Sequence, residues 1–173
     1  MDYFFIFLLQ IEKSHELKPL IGTYECKADV KGRLLLPAPL KKQVADSAAE
    51  GFILKRSIFS NCLELYPRAE FDKTMAKISK LNQYIPKNKE FIRKFSVGIR
   101  EVELDSLGRI QIPKDLAVFA GILKNAVITS AVTYVEIWDK DRYEEAVSGS
   151  DEDFAKLAED VMGNQNDDDN GLS

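Results

Sequence analysis

The sequence is short of the residues that carry most enzyme chemistry. Its 173 residues include one histidine, two cysteines and one tryptophan. The histidine, His15, lies in an N-terminal stretch ahead of every motif described below and is assigned no role. Without it there is no Cys–His pair and no nucleophile beside a base. Gly-rich phosphate loops and clustered metal ligands are also missing. An enzyme is therefore not expected, and neither are a cofactor, a metal or a small-molecule substrate. Cys26 and Cys62 have neither metal nor redox spacing. Both sit in apolar, strand-like contexts and read as buried free thiols rather than a disulfide, which suits a reducing cytosol.

No apolar run approaches the ~20 residues that a membrane-spanning helix needs. The densest, Tyr3–Leu9, follows Asp2 where a secretory signal would carry basic residues, and no small-residue cleavage site comes after it. The preferred reading is a start codon placed upstream of true initiation near Leu17 or Leu20. An extra segment packed on an oligomer and a membrane tether are the alternatives.

What the chain does have is one statement made twice. Asp29-Val30-Lys31-Gly32-Arg33, with Pro37 and Leu40 after it, returns as Asp105-Ser106-Leu107-Gly108-Arg109 with Pro113 and Leu116, each residue 76 positions on. Leu63-Glu64-Leu65-Tyr66 returns as Val135-Glu136-Ile137-Trp138, and Phe71 as Tyr143, 72 positions on. Nearly equal spacing of an ordered set implies two copies of one supersecondary unit.

Each copy reads as strand, turn, strand. Tyr24–Ala28 and Ile99–Leu104 alternate roughly between apolar and polar residues. Asp-x-x-Gly-Arg is a turn signal, because Asp accepts nearby backbone N–H groups and Gly takes a positive φ. Leu34–Leu36 and Ile110–Ile112 follow as strands, ended by prolines that cannot donate to a ladder. Short helices are predicted over Ala38–Ala45 and Lys114–Ala120. Further strand pairs are predicted as Gly51–Lys55 with Cys62–Tyr66, and Ala126–Ser130 with Val135–Trp138. For a single turn of this type, a turn-stabilising Asp–Arg pair with no further role is the stronger reading. Duplication alone does not decide the matter, since a duplicated fold duplicates its turns.

At these residues, from about Ile21 to Tyr143, the chain resembles the MraZ family of bacterial DNA-binding proteins, built of two AbrB-type (SpoVT-AbrB-like) half-domains. The marks are the paired Asp-x-x-Gly-Arg turns, the Pro four residues after each Arg, and the Leu-Glu-Leu-Tyr-Pro and Glu-Ile-Trp-Asp strand ends. The resemblance implies a mainly β, α+β fold in which swapped hairpins form a pseudo-twofold, double-split β-barrel with a helical connector. It implies ring-like homo-oligomers and transcriptional regulation through short G-rich direct repeats upstream of the division and cell-wall gene cluster. A cytoplasmic, nucleoid-associated protein is expected, with double-stranded DNA and itself as partners and no membrane. Residues 1–20 are a doubtful extension, 21–70 the first repeat, 71–97 the connector, 98–142 the second repeat, and 143–173 a helix and acidic tail.

In the family the turns read DNA. Carried over, these residues are Asp29, Lys31, Gly32 and Arg33, and Asp105, Gly108 and Arg109. Arg suits bidentate recognition of guanine O6 and N7 in the major groove. The aspartates are read as orienting the loop and the guanidinium, the glycines as allowing close backbone approach. Leu107 stands where the first copy has Lys31, so Arg33 ranks above Arg109, with Lys31 as a phosphate contact. Two alternatives remain: a ring-forming scaffold, and an antitoxin-like AbrB relative.

Charge supports the reading in its distribution rather than its sum. The net charge is −4, from 24 basic and 28 acidic residues. Asp139–Ser173 holds 3 basic and 12 acidic residues, which leaves 21 basic and 16 acidic in the body. A basic body with an acidic arm fits a nucleic-acid-facing protein. The connector predicts a helix from Pro67 with Phe71, Met75, Ile78 and Leu81 in a stripe. Pro86 interrupts it, and a second helix over Lys89–Phe95 turns Phe91, Ile92 and Phe95 inward. Its 8 basic and 3 acidic residues over Arg68–Ser96 read first as a solvated lysine-rich face. The alternative is a surface that holds DNA phosphates or joins subunits. Arg142–Met162 predicts a helix broken near Gly149-Ser150. Gly163–Gly171 is polar and acidic, expected to be disordered, and lacks the ligand spacing of a calcium loop.

Overall fold

A computed structural model of the chain describes residues 18–163. The apolar N-terminal run, His15 and the tail beyond Gly163 lie outside the described residues, as do the readings made of them. In chain order the elements are β1 (Thr23–Lys27), β2 (Arg33–Leu35), α1 (Ala38–Gln43), a 3₁₀ segment (Ala45–Glu50), β3 (Phe52–Arg56) and β4 (Leu63–Pro67). Next come α2 (Arg68–Ile78), α3 (Pro86–Phe95), β5 (Arg100–Val102), β6 (Arg109–Gln111), α4 (Lys114–Ala120), β7 (Asn125–Ser130), β8 (Val135–Asp139), α5 (Lys140–Ala146) and α6 (Asp151–Gly163). The chain divides into two compact units between Lys140 and Asp141.

The two copies are interleaved rather than laid side by side. One antiparallel sheet runs in the order β1-β7-β8-β4-β3-β5, and β2 and β6 form a separate two-stranded ribbon. The first strand of each copy thus pairs with the third strand of the other: β1 with β7, and β5 with β3. The ribbon and the β4–β8 ladder join like to like. Leu34 faces Ile110, 76 positions on, and Glu64 faces Glu136, 72 positions on. A pseudo-twofold axis passes through both pairs. The offset shortens from 76 to 72 because the second copy has a shorter link before its third strand and a tighter hairpin between its last two.

The strands flanking each Asp-Gly-Arg turn do not pair with each other. They diverge at the turn, one into the sheet and one into the ribbon. Hydrogen bonds therefore do not close a barrel, and its wall is split between sheet and ribbon. Packing closes it. Leu34 and Ile110 of the ribbon, and Leu40 and Leu116 of α1 and α4, meet Leu54, Leu63, Leu65, Ile128 and Ile137 of the sheet in one buried cluster. Alternation along each strand sends the neighbouring side chains to the opposite face. There Ile53 and Tyr66 pack with Phe71, Ile78 and Phe95 of the connector helices.

Several boundaries match the sequence reading closely, among them α4 and the break between α5 and α6. Pro86 begins α3, where its missing N–H costs nothing. One expectation fails: Phe91 does not turn inward but is 41% exposed, while Phe95 is buried. The two lie four residues apart, and α3 rests on the sheet through the Phe95 end of its stripe. Cys62 is buried and Cys26 half-buried, both as free thiols. Burial pushes the Cys62 thiol up to about 12 and that of Cys26 up to about 11.

Leu34 is fully buried at the axis where the copies meet. Leu34→Ala should therefore lower the unfolding free energy by about 2–5 kcal/mol, in a single urea transition that involves both copies. Separate transitions for the two copies would contradict the interleaved architecture.

Candidate nucleic-acid interface

The Asp-x-x-Gly-Arg sequence closes the same small network in both copies. The Asp29 backbone N–H donates to the Arg33 carbonyl at 2.9 Å, and Gly32 N–H donates to the Asp29 carbonyl at 2.9 Å. The Asp29 side chain completes the turn. Its Oδ1 accepts the backbone N–H groups of Lys31 (2.9 Å) and Arg33 (3.0 Å), and its Oδ2 accepts Arg33 Nε at 2.7 Å. In the second copy Asp105 accepts Leu107 N–H at 3.0 Å, Arg109 N–H at 2.9 Å and Arg109 Nε at 2.7 Å. Gly32 and Gly108 sit at φ +75° and +79°, in the left-handed region that costs other residues roughly 1–2 kcal/mol.

The ribbon then brings the two turns together. Leu36 N–H donates to the Gly108 carbonyl and Ile112 N–H to the Gly32 carbonyl, both at 3.0 Å, so each turn is pinned by the other copy. Arg109 Nη1 lies 3.8 Å from Asp29 Oδ2. The Gln111 amide adds a bond to the Lys31 carbonyl at 2.7 Å.

Each aspartate engages the Nε edge of its arginine and leaves the Nη groups pointing onward. Among the described residues, the Arg33 Nη atoms have no partner, whereas Arg109 Nη1 leans toward Asp29. Both arginine side chains are about a quarter exposed, placed at the surface with their Nε edges held. Such an arrangement presents preorganised donors to a planar, two-acceptor edge. Lys31 is exposed at the tip of the first turn, beside the exposed Val30.

One cation here was not singled out from the sequence. Lys41 of α1 lies over the second turn: a Cβ built on Gly108 would stand 2.8 Å from Lys41 Nζ. Its position in the helix after Pro37 gives no hint of this, because the neighbour belongs to the other copy. A buried polar cluster on the connector side of the sheet was also missed. Lys55 Nζ donates to Glu64 Oε2 at 2.9 Å with both residues buried, and the Tyr66 hydroxyl donates to the same oxygen at 3.2 Å. Glu64 thus has partners that its sequence context did not reveal. Lys55 Nζ also sits 4.9 Å from the centre of the Phe95 ring, which ties α3 to the sheet. Among the described residues, no group of three or more His, Cys, Asp or Glu is placed to hold a metal ion, and no helix is long and apolar enough to cross a membrane.

The chain matches the family model described as "MraZ protein, putative antitoxin-like" twice, over residues 20–94 and 95–165. It is 58% identical over 157 residues to a protein of Flavobacterium psychrophilum named transcriptional regulator MraZ, covering 91% of this chain and all of that protein. A protein of the same name from Christiangramia forsetii is 54% identical over 154 residues, covering 89% and 98%. One from Mycobacterium ulcerans is 35% identical over 143 residues, covering 83% and 96%.

The donated N–H of Arg33 is the foremost cause holding the Asp29 carboxyl below its ordinary value, and that of Arg109 does the same for Asp105. A carboxyl with a lowered folded pKa stabilises its turn above the unfolded value of about 3.9 and loses that contribution as pH falls through the lowered one. Side-chain carboxyl NMR should therefore give midpoints below about 3.9 for both residues. Midpoints at or above that value would mean that the turn network is not formed in solution.

Proposed function

The chain belongs to the MraZ family, and from that premise we propose that it is a sequence-specific DNA-binding transcriptional regulator whose reading elements are the two Asp-x-x-Gly-Arg turns. The observation that carries this is the pairing of the turns across the ribbon. Two arginines, one from each copy, have their Nε edges fixed by their own aspartates and meet at Asp29 Oδ2, Arg33 through Nε at 2.7 Å and Arg109 through Nη1 at 3.8 Å. The relatives' name, transcriptional regulator, supports the same reading.

In this account Arg33 and Arg109 each read a guanine through O6 and N7 in the major groove. Asp29 and Asp105 orient the guanidiniums and the loops, and carboxylates are poor candidates for direct contact with phosphates. Lys31 contacts the DNA backbone. Gly32 keeps the first turn low enough for its backbone to approach the duplex, while Gly108, buried under Lys41, supplies the left-handed backbone that the second turn needs. Arg33 outranks Arg109 because its Nη atoms have no partner among the described residues, while Arg109 is drawn toward Asp29.

One pair of turns spans few bases, so affinity requires several subunits on repeated sites. We infer a ring-like homo-oligomer on short direct repeats upstream of the division and cell-wall genes. Assembly raises the effective concentration of each further turn once the first is bound. Cytoplasmic, nucleoid-associated placement follows from that role.

An electrophoretic shift with the DNA upstream of the protein's own gene tests the proposal. Wild type should shift it, less at higher salt. Arg33→Ala should lose specific binding by about tenfold or more for each guanine it reads, with the oligomer intact by gel filtration. Normal operator binding by Arg33→Ala would remove the turn from the interface. No shift by the folded wild-type oligomer would instead favour a scaffold.

A further inference from the structure

The two copies are not equivalent at the turns, and the difference is a lysine that has moved. The first turn carries Lys31 at its tip, where the second has the apolar, exposed Leu107. On sequence alone the second turn is weaker by one cation. In the fold that deficit is filled from the other copy. β2 pairs with β6, and Leu36 N–H holds the Gly108 carbonyl, so α1, which begins two residues after Leu36, starts beside the second turn. Its Lys41 lies over Gly108, with Nζ, Cε and Cδ all within 3.2 Å of where a Cβ would stand.

The reciprocal position does not do the same. The residue 76 positions after Lys41 is Ala117, and no atom of Ala117 comes near the corresponding point on Gly32. Gly32 is covered instead by the Gln111 amide, whose counterpart in the first copy is Leu35. Gly108 is buried while Gly32 is half-buried, in keeping with the lysine lying over it. Lys41 is exposed, and its ammonium has no ion pair or hydrogen bond among the described residues. An unpaired cation whose stem lies along a backbone glycine is ready to accept an anion at the level of that turn.

We propose that Lys41 supplies to the Asp105–Arg109 turn the phosphate contact that Lys31 supplies to the Asp29–Arg33 turn. Each turn of a protomer then has one lysine to meet the DNA backbone. The inference rests on the DNA-binding reading. It places Lys41 in the set of backbone contacts that fix register on the duplex while the arginines read bases. It also gives a reason for the otherwise unremarked Lys41/Ala117 difference between the copies.

The test is the salt dependence of binding, by fluorescence anisotropy, of a labelled duplex carrying the DNA upstream of the protein's own gene. The proteins are the full-length wild type, Lys41→Ala, Lys41→Arg, Lys42→Ala and Lys41→Ala/Leu107→Lys. Lys42 is one residue further along α1 and turned about 100° away. Each lost phosphate contact lowers the slope of log K against log salt by about 0.9. Lys41→Ala should lower it by that amount for each subunit engaged, with an unchanged melting temperature. Lys41→Arg should keep the wild-type slope, Lys42→Ala should leave it unchanged, and Leu107→Lys should restore it in the Lys41→Ala background. An unchanged slope for Lys41→Ala beside a binding wild type overturns the inference alone. An equal drop for Lys42→Ala overturns it as well, reducing the effect to general surface charge. Absence of binding by wild type overturns the functional reading and this inference together.

Discussion

The three-residue ladder between β2 and β6 is the constraint on which the rest of the structure depends. It is short, but it lies on the pseudo-twofold axis, with Leu34 against Ile110 and both side chains fully buried. Because each strand of the ribbon leaves its own turn, pairing the strands necessarily pairs the turns. The carbonyl of each turn glycine is then held by an N–H from the other copy. Each turn is closed by its own aspartate network, and the twin copy adds the bond that holds its glycine carbonyl. Core packing is therefore the direct cause of the surface geometry. The leucines and isoleucines under the ribbon hold the two turns side by side, and Asp29 and Asp105 hold the guanidiniums.

A second consequence concerns the basic connector. The sheet separates two buried clusters, one under the ribbon and one under α2 and α3. The connector helices thus pack on the sheet face opposite the ribbon. The buried Lys55–Glu64 pair, with Phe95 against the lysine, anchors the connector to the sheet at the other end of the axis.

Much of this was legible in the sequence because the chain repeats. Asp, Gly, Arg and Pro at a fixed offset located the turns, the strand pairs and the short helices, and α4 lies where the pattern placed it. Partner choice was not legible. The alternation in Tyr24–Ala28 shows a half-buried strand without naming its neighbour, and that neighbour, β7, lies about a hundred residues away. Contacts across copies were hidden for the same reason. Lys41 reads as an ordinary helix-surface lysine until the ribbon brings Gly108 beneath it. Glu64 stands between two leucines of a strand, and its partners Lys55 and Tyr66 show only in the fold. Phe91 was misplaced because its stripe on α3 is wider than the surface it covers.

Reading of guanines from the major groove by the paired arginines is the step on which the proposed role turns. Methylation interference on the upstream duplex addresses it most directly, because modification at guanine N7 blocks the atom that a bidentate arginine uses. N7 methylation at guanines recurring with the repeat spacing should abolish complex formation. Binding that tolerates N7 methylation throughout the site, and is blocked only by modified phosphates or minor-groove positions, would contradict it.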